Sequence, residues 1–178
     1  GNALMVLTVD TPLPPEVAAN RARFLELDPG FGQLYHNPRN RLPAAEEALA
    51  AMDAAGVDHS VILGFGWYDT ALCAAHNDYL SDVVRRYPDR FSAFGALQPR
   101  DVARLDTELD RIVRLGLRGI GELMPHLQGY SLDDEGVMRP VAEAATALGL
   151  PLLTHASEPV GHGYPGKGDA SPRSILRL

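Results

Sequence analysis

From residue 43 onward, the hydrophobic and polar positions alternate between two patterns. Segments with helical periodicity end at a glycine or just before a proline, and a short, nearly unbroken apolar run follows each of them. Three helix-to-strand joints share this form: AAGVDHSVIL, RLGLRGIGEL and ALGLPLLTHA. Unbroken apolar strands after helices are typical of a parallel sheet that is buried on both faces.

The spacing of these runs indicates repeated strand-plus-helix units. Strands are predicted to begin near residues 58, 91, 117 and 151, at intervals of 33, 26 and 34 residues, and each interval has the length of one such unit. With LMVLTV near the amino terminus as a further strand, the chain has about five β/α units. A complete (β/α)8 barrel takes about 250 residues, so on pattern alone an open doubly wound sheet and part of a barrel both remain possible.

The predicted domain is a single one over residues 1–178, with a long insertion at about 14–42 after the first strand. Its first regular helix begins at Pro43 and ends at Gly56. A later helix has Asp101 as its predicted N-cap and Gly116 as its C-cap.

Composition excludes some classes of partner. The chain has 178 residues, 46% of them hydrophobic and 22% charged, with a net charge of -7 and a pI near 5.3. Because nucleic-acid binding requires clustered Lys and Arg, no such partner is predicted. The apolar runs are too short to span a membrane, and the beginning of the chain does not resemble a signal peptide. The single Cys73 is expected to be a reduced, packed thiol, which favours a cytoplasmic protein.

Candidate chemistry gathers where strands end, since the carboxyl ends of parallel strands share one edge of a sheet or barrel. Asp10, Glu122 and His155 follow predicted strands in this way, as do residues 64–67 and Gln98. Carboxylate and imidazole groups suit a divalent cation such as zinc, manganese or iron. The alternative is that these side chains only form hydrogen bonds at strand ends.

The other histidines along the chain are assigned simpler roles. His76 and Asp78 are expected to be polar residues on the solvent-facing surface of a helix. His36 and His59 are expected to be solvent-facing or structural.

Four segments together resemble the amidohydrolase-related family of metal-dependent hydrolases: AAMDAAGVDHSVILGFGW, HNDYLSDVVRRYPDRFSAFGAL, LGLRGIGELMPHLQGYSLDD and LPLLTHASEPVGHGYPGKG. The resemblance implies a TIM-type (β/α)8 barrel, of which about five units are present here. It also implies one or two metal ions at the carboxyl ends of the strands, with zinc as the first choice and manganese or iron as alternatives. Carried over by position, GEL places Glu122 and THASEP places His155 among the metal ligands.

The chain departs from the family pattern in two places. Asp10, Thr11 and Pro12 stand where the family has His-x-His, so only Asp10 could replace one imidazole. The chain is also expected to lack the later units that carry a further histidine and the strand-eight aspartate. The resemblance therefore implies weak metal binding by Glu122, His155 and Asp10.

The sequence predicts a metal-dependent hydrolase that acts on a small molecule through a metal-activated water. Glu122 and His155 are the predicted catalytic residues, and Trp67, His162 and Lys167 are predicted to orient substrate from the rim. The alternative is a non-catalytic barrel remnant that serves as a self-associating binding or structural module. Because five units leave strand edges unpaired, a homodimer or larger assembly is expected in either case.

Overall fold

A computed structural model describes residues 26–35, 43–157, 160–164 and 167–177. The chain divides into two compact units, Gly1–Asp58 and His59–Leu178. No helix among the described residues is long and apolar enough to cross a membrane. The predicted first strand and Asp10 both lie outside these residues.

The described part of the first unit includes helix α1 (Pro29–Tyr35) and helix α2 (Ala45–Ala55), and residues 26–27 are also helical. Helix α1 lies inside the insertion at 14–42, whose hydrophobic pattern does not indicate a helix. It begins where the Asp28 carboxylate accepts the Phe31 N–H at 3.0 Å, which satisfies one of the unpaired donors of the first turn. Helix α2 ends at Gly56 with φ +66°, so its predicted C-cap is confirmed.

The second unit repeats strands and helices in the predicted order. Its strands begin close to the predicted positions but are only three or four residues long. The elements are β1 (Ser60–Leu63), α3 (Thr70–Arg86), β2 (Phe91–Phe94), a 3-10 turn (Val102–Arg104), α4 (Leu105–Arg114), β3 (Ile120–Leu123), α5 (Pro125–Gln128), α6 (Glu135–Leu148), β4 (Leu152–Thr154) and α7 (Pro172–Ile175).

The four described strands are parallel and lie side by side in chain order. Strand β1 pairs with β2, with Ser60 opposite Phe91, and β3 pairs with β4, with Ile120 opposite Leu152. A parallel bridge from Gly95 to Ile120 joins β2 to β3. This order has no reversal of the kind found in doubly wound sheets, so the predicted partial barrel with parallel strands is confirmed for these units.

Each long helix of the second unit turns one apolar face toward the strands. The buried positions recur three or four residues apart, as expected for a helix with a single packed stripe. They are Cys73, Asn77, Leu80 and Val83 on α3, Leu105, Leu109 and Ile112 on α4, and Met138, Val141 and Ala145 on α6. The Cys73 thiol is fully buried and donates to the Trp67 carbonyl, as the sequence predicts for a packed thiol.

The amino end of the third predicted helix differs from the prediction. The chain first forms the 3-10 turn, and Asp101 makes no side-chain capping bond there. Its carboxylate instead accepts the Thr70 hydroxyl of α3 at 2.8 Å and lies 3.5 Å from the Arg104 guanidinium. The Asp101 carboxylate therefore binds side chains of α3 and of the 3-10 turn instead of capping the backbone.

Two buried amides join the segments that leave β1, β2 and β3. The Gln128 Oε1 accepts the Met124 N–H at 2.9 Å, while its Nε2 donates to the Leu97 carbonyl at 2.8 Å and to the Trp67 carbonyl at 3.2 Å. Asn77 pairs with both backbone groups of Ala96, at 2.8 and 2.7 Å. These side chains bond backbone groups that have left the strand ladder, and buried backbone groups of this kind need hydrogen-bond partners.

Apolar side chains remain partly open on the first and last described strands. Val61 on β1 is 50% exposed and Leu153 on β4 is 37% exposed. Such exposure is compatible with the expected self-association, which stays a prediction.

We expect the replacement of Asn77 by leucine to lower the free energy of unfolding by about 2 to 4 kcal/mol, because the buried N–H and carbonyl of Ala96 would both lose their partner. Urea denaturation followed by circular dichroism measures this change. The control is Asp78→Asn on the same helix, which weakens an exposed ion pair with Arg111 and should cost no more than about 1 kcal/mol. Equal losses in the two variants would contradict this account of Asn77.

Candidate metal site at the carboxyl ends of the strands

Glu122 and His155 come together at the carboxyl ends of two neighbouring parallel strands. Glu122 is the third residue of β3, and His155 directly follows β4. The Glu122 Oε1 lies 3.5 Å from the His155 Nδ1, with about a fifth of each side chain exposed. The strand pattern thus brings the carboxylate and the imidazole to one place, as expected for residues at the same edge.

The backbone holds both residues firmly. The His155 N–H donates to the Leu123 carbonyl at 2.7 Å, and the Glu122 N–H donates to the Gly64 carbonyl at 2.7 Å. Gly121 precedes Glu122 with φ +145°, and a Cβ there would lie 2.6 Å from the Leu153 carbonyl oxygen. Only glycine fits this close approach of β3 to β4.

The hydrogen bonds of the His155 Nε2 determine whether Nδ1 has a lone pair that can bind a metal ion. The His155 Nε2 lies 3.2 Å from the Lys167 carbonyl oxygen and 3.3 Å from the Ser157 Oγ. A carbonyl can only accept, and the Ser157 hydroxyl already donates to the same carbonyl. Both contacts of Nε2 are therefore hydrogen bonds when Nε2 carries the ring proton. The Nδ1 lone pair therefore faces the Glu122 carboxylate, and a cation shared between the two atoms would stabilise the pair.

The donor pair fits two positions around one divalent ion. Two ligand atoms that are each about 2.1 Å from a tetrahedral ion lie about 3.4 Å apart, close to the observed separation of Oε1 and Nδ1. Among the described residues, no group of three or more His, Cys, Asp or Glu side chains could hold a metal ion. Asp10, the third predicted ligand, lies outside the described residues, and its role stays a prediction.

His126 also lies against His155, although the sequence did not single it out. The two imidazole rings have their centroids 5.0 Å apart at an angle of 50°. His126 is on α5, only four residues after Glu122, but the chain passes from strand to helix between them. No single periodicity places the two side chains together, so sequence pattern carries no signal for this contact.

Trp67 does not lie in an open rim position. The residue is 5% exposed, and its indole N–H donates to the His76 Nδ1 at 3.0 Å. Its carbonyl accepts from Gln128 and from Gln98. This placement favours a structural role for Trp67 over the predicted contact with substrate, because a buried ring is closed to a ligand.

His162 and Lys167 lie in the segment after β4, where the sequence placed them. His162 is exposed, and its ring centroid lies 6.1 Å from that of Tyr164. The Lys167 Nζ donates to the Val160 carbonyl at 2.9 Å and lies 5.9 Å from the centre of the Tyr164 ring. Their predicted contact with substrate stays a prediction, while the Lys167 carbonyl has the additional contact with His155.

The helical pattern predicts that His76 faces solvent, and this prediction is wrong. The His76 Nδ1 accepts the Phe65 N–H at 3.2 Å as well as the Trp67 indole N–H, so it ties α3 to the segment after β1. Burial lowers the pKa of His76 from 6.5 to about 4, because the charged imidazolium loses its hydration. The neighbouring Asp78 is exposed, as expected, and it forms an ion pair with Arg111. His59 is exposed and bonds the Asp89 carbonyl and the Ser92 hydroxyl, which agrees with its predicted role.

A comparison with protein families identifies the family of this chain. The family described as Amidohydrolase matches residues 15–173, which is most of the chain. The chain belongs to the amidohydrolase family. A comparison with curated proteins found no match.

Solved structures of similar fold are consistent with membership of the amidohydrolase family. A 5-carboxyvanillate decarboxylase from Novosphingobium aromaticivorans, complexed with manganese and 4-hydroxy-3-methoxy-5-nitrobenzoic acid, matches at 26% identity with a TM-score of 0.62, over 80% of this chain and 47% of that one. The 5-carboxyvanillate decarboxylase of Sphingomonas paucimobilis matches at 25% identity with a TM-score of 0.68, over 94% and 59%. The 2,6-dihydroxybenzoate decarboxylase of Rhizobium, at 24% identity and a TM-score of 0.52 over 67% and 42%, shows the fold alone.

The chain spans about half the length of these solved structures, with 47% of the first and 59% of the second covered. The matched part includes both Glu122 and His155, since it runs from residue 15 to residue 173 in the family comparison.

We expect the low pKa of His76 to make the fold less stable in acid. As the pH falls from about 6.5 to about 4, the unfolded chain binds a proton that the folded chain excludes. The free energy of unfolding therefore falls by about 3 kcal/mol. His76→Asn keeps an acceptor near the Nδ1 position and cannot titrate, so it should lose this part of the pH dependence. Urea denaturation at pH 7 and pH 4.5 measures the difference.

The matched control for this test is His59→Asn, which removes an exposed histidine that is hydrogen-bonded at the other end of β1. This variant should keep the acid sensitivity of the wild type. If the His76 and His59 variants changed with pH by the same amount as the wild type, burial of His76 would not be the cause.

Proposed function

We propose that this chain forms the metal-binding half of an amidohydrolase-family enzyme that acts on a small carboxylic acid. The observation that carries the proposal is the Glu122 Oε1 and His155 Nδ1 pair, 3.5 Å apart at the carboxyl ends of β3 and β4. This edge is where barrels of this type build their active sites. The tautomer that Lys167 selects leaves His155 able to bind a cation.

Glu122 and His155 would hold a divalent ion, with Asp10 as the proposed third ligand. Such an ion would polarise a substrate oxygen and stabilise negative charge that develops during the reaction. Imidazole nitrogen and carboxylate oxygen suit both zinc and manganese. Zinc is the first choice from the resemblance, whereas the manganese in the Novosphingobium aromaticivorans structure supports manganese.

The residues around the pair supply positive charge and orientation. The Lys167 carbonyl and the Ser157 hydroxyl hold the imidazole in place, while the Lys167 ammonium group lies on the segment that follows the same strand. A positive charge at this rim would attract an anionic substrate. His162 and Lys167 are proposed to orient the carboxylate of that substrate.

Decarboxylation is the reaction that we propose first. The solved structures at 25% and 26% identity are both named as decarboxylases, and one contains a substituted benzoic acid. Hydrolysis through an activated water, the reaction predicted from the sequence, remains the second candidate. Both reactions need negative charge on a substrate oxygen to be stabilised, so the same pair of ligands would serve either one.

A non-catalytic module stays the alternative of a different class. It is favoured by a specific observation, because the described residues bring together two metal-binding side chains rather than three. An open catalytic zinc site normally has three protein ligands. Metal binding therefore separates the two proposals.

We expect manganese or zinc to bind the purified chain weakly and in a one-to-one ratio, since two well-placed ligands contribute. His155→Ala and Glu122→Gln should each lower the affinity about tenfold or more, because each removes a ligand atom. Isothermal titration calorimetry measures these constants, and His59→Asn at the other end of β1 is the control that should bind like the wild type. A wild-type chain that binds neither ion would support the non-catalytic module.

With manganese present, we expect slow release of carbon dioxide from a hydroxylated benzoic acid, and no release with Glu122→Gln. Loss of the ligand should remove the charge stabilisation that the reaction needs. Carbon dioxide is measured by a coupled assay, alongside hydrolysis of an ester and a lactone by the same preparation. Turnover of the ester or lactone alone would favour the hydrolase, and a reaction that is unaffected by Glu122→Gln would exclude this site.

A further inference from the structure

The segment 167–170 lies beside the candidate metal site. The Ser157 N–H donates to the Ala170 carbonyl at 2.7 Å, and Ala170 is buried within the hydrophobic core. These contacts bring the Lys167 carbonyl beside the His155 Nε2. The position of the segment therefore decides whether this carbonyl reaches the imidazole.

Gly168 fits against His126 with no space for a side chain. Its φ is +68°, and a Cβ built on it would lie 2.5 Å from the His126 Nδ1 and 2.6 Å from the Cγ of the same ring. A real Cβ does not approach another atom this closely, so either the ring or the segment would have to move. The opposite side of this contact is constrained as well, since the His126 ring packs against His155.

Polar groups on both sides of the neutral His155 ring compete for its one proton. At Nε2, the Ser157 Oγ lies 3.3 Å away and donates its own proton to the Lys167 carbonyl. The Lys167 carbonyl lies at Nε2, and the Glu122 carboxylate lies at Nδ1. If the carbonyl moved away, the Ser157 hydroxyl would lose its acceptor and could donate to Nε2. The Glu122 carboxylate would then attract the ring proton to Nδ1. Nδ1 would then be a donor to Glu122 and could not bind a metal ion.

We propose that Gly168 and His126 are positioning residues that seat the 167–170 segment, so that the Lys167 carbonyl keeps the His155 proton on Nε2 and leaves Nδ1 available to a cation. This inference rests on the proposed function for the use of Nδ1. The contact between Gly168 and His126 does not itself depend on a metal ion. Two residues that are not metal ligands, Gly168 and His126, thereby control which nitrogen of His155 can bind the ion.

The tautomer can be read directly in the metal-free protein. Long-range ¹H–¹⁵N correlation spectra at alkaline pH, where the ring carries one proton, distinguish a protonated from an unprotonated ring nitrogen. His155 should carry its proton on Nε2 in the wild type and shift toward Nδ1 in Gly168→Ala. The same variant should bind manganese about tenfold or more weakly by calorimetry, as expected when the group that orients a ligand is lost.

Two glycines provide matched controls. Gly149 has φ +65° with no atom within 4 Å of a built Cβ, so Gly149→Ala imposes the same backbone strain without the contact. Gly163 lies in the same stretch after β4 and is also open. Both alanine variants should keep the wild-type tautomer and affinity.

A second variant keeps the test valid if Gly168→Ala does not fold. His126→Ala removes the ring that the segment rests on, and it should shift the His155 proton in the same direction without adding strain at residue 168. A wild-type ring already protonated on Nδ1 would overturn the proposal. So would retention of the wild-type tautomer in both Gly168→Ala and His126→Ala.

The failure of the proposed function is recognised separately. If the tautomer responds as expected but the wild type binds neither manganese nor zinc, the positioning role of Gly168 and His126 is supported and the metal-dependent function is rejected. If the metal binds but the tautomer is unaffected by Gly168→Ala and His126→Ala, the metal-dependent function is supported and the positioning role of Gly168 and His126 is rejected.

Discussion

The structure around the candidate site depends on one constraint, which is that buried backbone groups beyond the strand ends need hydrogen-bond partners. Strands of three or four residues satisfy only a few of these groups through their ladders. Gln128 reaches segments after β1, β2 and β3, while Asn77 pairs with both backbone groups of Ala96. Because leaving such groups unpaired is costly, these amides hold the carboxyl edge of the sheet in one conformation.

This fixed edge gives the Glu122 and His155 pair its geometry. Their backbones are bonded to Gly64 and Leu123, so the separation of 3.5 Å between the side chains follows from strand positions rather than from flexible loops. The His155 ring is then oriented from its other side by the Lys167 carbonyl. A ligand atom held from two directions loses little conformational freedom when an ion binds, which favours binding by a site with few ligands.

Membership of the amidohydrolase family and the order of the strands are separate observations on the same part of the chain. The family match covers residues 15–173, and the strand order independently brings β3 and β4 side by side. The solved structures that match are about twice as long as the covered part, so the activity of the whole protein is a proposal. What the described residues contribute is a donor pair together with the groups that orient it.

The sequence by itself determined the order of strands and helices, and it indicated that Glu122 and His155 lie at the same edge. Those features follow from local periodicity, from glycines such as Gly56 that end helices, and from the rule that parallel strands share a carboxyl edge. Such signals are short in range, and each can be read without knowing what packs against the segment.

Only the tertiary structure decided the roles of residues whose partners are distant in sequence. His76 was expected on a helix surface and instead holds the Trp67 indole, while Asp101 bonds Thr70 rather than its own helix. The contact of His126 with His155 crosses 29 residues of chain. Periodicity reports how often a side chain faces the core, but the identity of its neighbour depends on how separate elements pack, because polar groups bond whatever partner burial leaves within reach.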